Sequence, residues 1–167
     1  MSGWWRASKT LAGWIPVLAA VVAIQLMANR GVLDAGKAPK LQGEMLVDGV
    51  PFSGLQSLPK PVMVYFWASW CGICKAMQST VMAVASDTPI ITVAMQSGDS
   101  VTVREYMSRQ QFEVPTLIDQ EGRLATMYGV RGVPAAFIVD RDGSIRSATT
   151  GYTSELGLRL RLWWANR

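Results

Sequence analysis

An almost unbroken apolar run, Val62-Met63-Val64-Tyr65-Phe66-Trp67, is followed within four residues by Cys71-Gly72-Ile73-Cys74, the only two cysteines of the chain. Apolar residues bounded by turn formers describe a strand buried on both faces, so this run is expected at the centre of a sheet. From Gly72 the period changes: Ile73, Met77, Val81 and Val84 recur at helical spacing as far as about Ser86. Strand, turn, cysteine pair and helix in succession put Cys71 at a helix N-terminus. There, unpaired backbone N–H groups and the positive end of the helix dipole favour a thiolate over a thiol. Cys74 lies one turn deeper on the same face, placed to attack a mixed disulfide formed on Cys71. The arrangement is that of a redox centre in which Cys71 attacks and Cys74 resolves.

Other uses of a CxxC are constrained by composition. A structural zinc site takes four Cys or His ligands, and this chain has no further Cys and no His. Covalent haem attachment needs His after the second cysteine, where Lys75 stands. A passive disulfide is the remaining alternative, although closing so short a loop removes little unfolded-state entropy. No metal and no cofactor are expected.

The formal net charge of +4 is carried by the first 40 residues, where Arg6, Lys9, Arg30, Lys37 and Lys40 face only Asp34. Everything after them is neutral, which argues against a basic face for nucleic acid. Between these cations runs an apolar segment from Leu11 to Met27, with Trp4, Trp5 and Trp14 near its leading end. It is just long enough to span a bilayer, and the tryptophans suit an interfacial belt. Residues 11–28 are therefore expected to anchor the chain in a membrane, with residues 1–10 held in the cytoplasm by Arg6 and Lys9. A removed signal peptide is the alternative reading, since Ala28 closes the run with a small residue. Residues 29–40 read as a tether and residues 41–167 as one domain on the far side, in an oxidising compartment where a working dithiol needs an electron donor.

Within the domain, Met45-Leu46-Val47 and Val50-Pro51-Phe52 flank the turn Asp48-Gly49 as a short hairpin. Ile90 to Met95 is a β-branched strand expected parallel to the first. Thr102-Val103-Arg104-Glu105 matches a capping box opening a helix through about Gln110. Thr116 to Asp119 reads as a strand, and Leu124 to Tyr128 as a short helix stopped by Gly129. Ala135 to Val139 and Ser144 to Thr149 form a hairpin about Asp140-Arg141-Asp142-Gly143. Thr153 or Ser154 caps a last helix whose Leu156, Leu160 and Trp163 share a face, and packing accounts for its Trp163 and Trp164. The order predicts an α/β fold, a mixed central sheet with helices on both faces.

Two segments about sixty residues apart carry a family resemblance. Phe66-Trp67-Ala68-Ser69-Trp70-Cys71-Gly72-Ile73-Cys74-Lys75 resembles the active-site segment of thioredoxins. Tyr128 to Gly143, containing Gly132-Val133-Pro134-Ala135, is similar to the cis-proline segment of membrane-tethered periplasmic thioredoxins of the TlpA type. With the single anchor, the chain looks most like the copper-sensitivity-suppressor group among them. The resemblance implies a thioredoxin fold over roughly residues 41–165 and disulfide exchange with protein substrates. It also implies a DsbD-like membrane electron donor, a role in copper tolerance, and an inner-membrane protein with its domain in the periplasm.

By the same resemblance Pro134 is cis, Val133 pairs with an extended substrate, and Trp70 borders the site; cis would otherwise be a minority state for any X–Pro bond. Gly72 and Ile73 tune the redox balance of the pair, and Lys75 is a solvated cation favouring thiolate. The chain departs from the pattern at Tyr65, where thioredoxins place a buried Asp, and at Met77, where many TlpA-type proteins place Glu. Ala135 and Ala136 replace the Glu of cytochrome-maturation thioredoxins after the cis-proline. A thiol oxidase, and a copper(I)-binding or chaperone module using the same cysteines, are the alternative functions.

Overall fold

The computed structural model describes residues 36–42 and 51–167, together with the single position Pro16. The expected cytoplasmic N-terminus, the anchor apart from Pro16, most of the tether and most of the Met45–Phe52 hairpin lie outside the described residues. Among the described residues no helix is long and apolar enough to cross a membrane.

Five strands form one sheet in the order β3-β2-β1-β4-β5: β1 Val62–Trp67, β2 Ile90–Met95, β3 Thr116–Asp119, β4 Ala135–Val139 and β5 Ile145–Thr150. The apolar run is the central strand, and all six of its side chains are buried. β1 pairs parallel with β2 in the register Tyr65 to Thr92, and antiparallel with β4 in the register Tyr65 to Ala136. β2 and β3 are parallel, and β4 and β5 antiparallel, so the sheet is mixed.

Alternation along β1 divides the core in two. Met63, Tyr65 and Trp67 join Cys71, Cys74, Met77 and Leu158 on one face; Val62, Val64 and Phe66 join Leu41, Leu117, Tyr128 and Phe137 on the other. Each large aliphatic side chain so buried contributes about 1.5–3 kcal/mol relative to exposure. The first face is covered by helices α2 (Gln78–Ala85), α3 (Ser100–Gln110) and α5 (Glu155–Ala165), with the short α1 (Gly72–Ala76) ahead of them; α4 (Arg123–Met127) covers the second. Helices on both faces of a mixed sheet are the expected architecture.

Three local expectations are corrected. The helix after the cysteines is two helices, broken at Met77, whose amide reaches back to the carbonyls of Ile73 and Cys74 while its sulfur accepts the amide N–H of Thr153 at 3.4 Å. The α3 cap is Asp99, not Thr102: the Asp99 carboxylate accepts the Thr102 amide at 2.9 Å, the stronger cap winning three residues earlier. On α5, capped by Ser154, the packed face is Leu158, Leu162 and Ala165; Leu156, Leu160, Trp163 and Trp164 face outward. Packing therefore does not account for Trp163 and Trp164.

The chain joins the sheet earlier than residue 41. Lys37 bridges to Ser144, the amides of Ala38 and Ile145 bond to the carbonyls of Gly143 and Gly36, and Tyr128 donates its hydroxyl to the Pro39 carbonyl at 3.0 Å. These bonds place the entry of the N-terminal segment at the β4–β5 turn.

Candidate active site

Parallel strands expose their C-terminal ends to the loops that follow, and β1 delivers Ala68 to Trp70 and the cysteines at that edge. Cys71 has an extended backbone and caps α1: the amide of Cys74 donates to its sulfur at 3.1 Å. Cys71 and Cys74 are joined as a disulfide. The two differ in access, Cys71 being 8% and Cys74 2% exposed, with Cys74 inside the core cluster that holds Tyr65 and Met77. The Val133–Pro134 peptide is cis, as the resemblance implied, and the Val133 carbonyl oxygen lies 3.5 Å from Cys71 Sγ. A second cis bond, Lys60–Pro61, was not anticipated.

Trp70, Ile73, Gly72 and Lys75 are all exposed around the buried sulfurs, while Pro134 is buried and Val133 partly so. The eight expected site residues thus gather at one edge of the sheet, Lys75 in the last turn of α1. Trp70 is held against the surface by its indole N–H, which donates to the carbonyl of Gln96 at 3.0 Å. Ser97, in the same β2–α3 loop, accepts the Ser69 amide on its hydroxyl at 3.0 Å and donates to the Met95 carbonyl. Gln96 itself sits at φ 47°, a left-handed conformation that costs a non-glycine residue about 1–2 kcal/mol and that its amide bond to the Asp119 carbonyl helps hold. Sequence reasoning missed this clamp; its only local trace is the turn composition of Ser97-Gly98-Asp99.

Beneath the site, the Trp67 indole N–H donates to Thr92 Oγ1 at 3.1 Å, Thr92 bonds Thr116 at 2.8 Å, and Thr116 donates to the Val114 carbonyl at 2.9 Å. The position where thioredoxins carry Asp is filled by Tyr65, whose hydroxyl is the one buried side-chain N or O atom lacking a hydrogen-bond partner among the described residues. Burial, and secondarily the neighbouring Tyr106 hydroxyl, push its ionisation far above the usual phenol range, so it stays neutral. The buried carboxylates of the described residues are committed elsewhere. Asp119 accepts the amides of Leu124 and Ala125, and Asp140 those of Asp142 and Ser144.

A CxxC disulfide at the start of a helix on the edge of this sheet, with a cis-proline beside it, defines a thioredoxin-fold thiol–disulfide oxidoreductase. The chain belongs to the AhpC/TSA family, whose pattern matches residues 36–148. Among its relatives, a thioredoxin-like protein of Haemophilus influenzae is 32% identical over 122 residues, covering 71% of this chain and 72% of the relative. The thiol-disulfide oxidoreductase ResA of Geobacillus thermodenitrificans is 22% identical over 107 residues, 62% of each chain. The structure of Mycobacterium tuberculosis DsbF in mixed oxidised and reduced forms superposes with a TM-score of 0.66 at 26% identity, covering 75% of this chain and 95% of that one.

Proposed function

We propose that this oxidoreductase is a membrane-anchored periplasmic reductase of envelope protein disulfides. The observation that carries the exchange mechanism is the asymmetry of the pair, which makes Cys71 the attacking and Cys74 the resolving sulfur: Cys71 is the more accessible and its sulfur accepts the Cys74 amide, whereas Cys74 is enclosed. The reducing direction rests on the resemblance to envelope thioredoxins served by a DsbD-like donor. In the reduced protein the Cys71 thiolate attacks one sulfur of a substrate disulfide, whose S–S bond breaks as the first substrate thiolate leaves and takes a proton. Cys74 then loses its proton and attacks Cys71 Sγ, releasing the second substrate thiol and closing the Cys71–Cys74 disulfide. Two electrons pass from the protein to the substrate, and a DsbD-like membrane donor returns them.

Val133 lies where its backbone would pair with an extended substrate chain, and Trp70 and Ile73 offer exposed apolar surface on either side of Cys71. Gly72, Ile73 and Lys75 set the local balance of thiol and thiolate. Neutral Tyr65 supplies no base for Cys74, so water entering as the mixed disulfide forms takes that proton. Support for anchoring is the apolar run Leu11 to Met27 with its flanking cations and tryptophans. The link to copper tolerance rests on the resemblance to the copper-sensitivity-suppressor group.

The test is to replace Cys74→Ala in the full chain, express it in its native envelope and identify what is trapped on Cys71. Periplasmic proteins joined through Cys71, and released by reductant, are expected. An envelope in which nothing is trapped, while the reduced full chain takes up one copper(I) tightly and fails to reduce insulin, would overturn the reading in favour of a copper module.

A further inference from the structure

The outward face of α5 carries Leu156, Leu160, Trp163 and Trp164, the last 71% exposed, on a helix whose other face is packed into the core. Such a stripe on a soluble surface marks an interaction site. Its place in the molecule says with what. The Arg141 guanidinium donates to the Asn166 side chain at 2.9 Å, so the tryptophan end of α5 lies against the β4–β5 turn. Lys60 and Pro61, just ahead of β1, line a cleft with Trp163. That same turn receives Lys37 and Ala38, where the N-terminal segment joins the sheet. Entry point and tryptophans therefore share one end of the molecule. The dithiol follows the opposite end of β1, roughly 20 Å away at about 3.3 Å per residue.

We infer that this end of the domain rests on the bilayer, with the outward face of α5 seated among anionic headgroups. The inference rests on the proposed anchor, residues 11–28. Only residues 29–35 separate that anchor from Gly36, a reach of at most about 25–30 Å fully extended. So short a lead holds the entry point near the membrane and leaves the dithiol pointing away from it. The chemistry of the face suits the occupant: indole rings favour the headgroup boundary, and leucines bury beside them. Lys37, Lys60, Arg141, Arg161 and Arg167 stand on or around it, Arg167 stacked over the Trp163 ring at 3.9 Å. Of the acids nearby, Asp140 pairs with Arg146, Asp87 and Glu155 share Arg159, and Asp142 is exposed on the β4–β5 turn, so the cations remain in excess. The domain would be oriented, its redox site presented to periplasmic proteins at a fixed height.

The experiment uses the full chain with Trp4→Phe, Trp5→Phe and Trp14→Phe, reconstituted in vesicles of brominated phosphatidylcholine containing phosphatidylglycerol. Sedimentation with the vesicles after carbonate washing reports the anchor separately. Fluorescence quenching by the brominated lipid is expected, is abolished by adding Trp163→Phe and Trp164→Phe, survives Trp70→Phe, and weakens when phosphatidylglycerol is omitted. A chain that sediments but shows no quenching overturns the inference and leaves the anchor standing. A chain that does not sediment overturns both. Quenching that is equal without phosphatidylglycerol removes the anionic partner, and a dimer split by Trp163→Ser and Trp164→Ser would assign the face to a second copy instead.

Discussion

The amide of Cys74 donates to the sulfur of Cys71 across 3.1 Å, so the more deeply buried cysteine's backbone serves the more accessible cysteine's side chain. A sulfur that caps a helix start is stabilised as thiolate by that bond and by the dipole behind it. The Val133 carbonyl oxygen, 3.5 Å from the same atom, would accept from a thiol and repel a thiolate. Their opposition leaves Cys71 nucleophilic without locking it in one state. In the reduced chain, iodoacetamide at pH 6 should therefore modify Cys71 on the order of tenfold faster than Cys74, measured by peptide mass analysis of partially reacted protein. Equal rates would mean that neither cap nor burial separates the two.

Tyr65→Phe removes a buried hydroxyl that has no partner among the described residues. An unsatisfied buried polar group costs about 1–3 kcal/mol, so the variant should unfold at higher denaturant, by an amount on that order. Resolution of a mixed disulfide on Cys71 should proceed at an unchanged rate, because a neutral phenol takes no proton from Cys74. A slower resolving step, followed by stopped-flow exchange with a model disulfide, would show that Tyr65 does assist it.

Much of this architecture was legible because each piece is announced locally. Val62–Trp67 is apolar throughout and became the central strand, and Cys71-Gly72-Ile73-Cys74 announces its helix start within four residues; the cis bond at Pro134 was expected only through the family resemblance of its segment. What escaped depended on partners far along the chain. The break at Met77 keeps the helical period of Ile73, Val81 and Val84 and so leaves no mark on it. The outward stripe of α5 could not be told from the inward one, since Leu156, Leu160 and Trp163 and Leu158, Leu162 and Ala165 are both apolar at helical spacing. Only the sheet beneath decides. Gln96 and Ser97 hold Trp70 and Ser69 from 26 and 28 residues away, a relation no local pattern encodes.

Asp140 closes the β4–β5 turn by accepting the amides of Asp142 and Ser144, each at 2.9 Å, and by pairing with Arg146. Burial raises its ionisation, but the Ser144 amide, Arg146 and the Asp142 amide together outweigh it and hold the carboxyl below its ordinary value near 3.8. Its contribution to stability is complete above that value and is lost as the pH falls through the lower, folded-state one. Asp140→Asn should therefore weaken the chain at pH 7 and flatten its stability loss below about pH 4. Denaturant titrations from pH 7 to 2.5 check this, and parallel curves for the two proteins would sink it.

The relay from Trp67 through Thr92 and Thr116 to the Val114 carbonyl fixes the end of β1 that delivers the cysteines. Thr92 accepts from Trp67 and donates to Thr116, whereas Thr116 donates back into its own segment at Val114, so the two threonines are not equivalent. Thr92→Val keeps shape but strips the Trp67 indole N–H of its acceptor in a fully buried place, at a cost of about 1–3 kcal/mol. Thr116→Val leaves that N–H satisfied; it takes the acceptor from the rotatable Thr92 hydroxyl and one donor from the Val114 carbonyl, groups that tolerate the loss better than a fixed buried N–H, so it should cost less. Trp67 also stacks on Tyr106, centroids 5.5 Å apart, and meets Phe112 edge-on, contacts both variants preserve. Equilibrium unfolding should rank wild type above Thr116→Val and Thr116→Val above Thr92→Val. The reverse order would mean that the Thr116 bond to the Val114 carbonyl, and not the indole bond, holds the relay together.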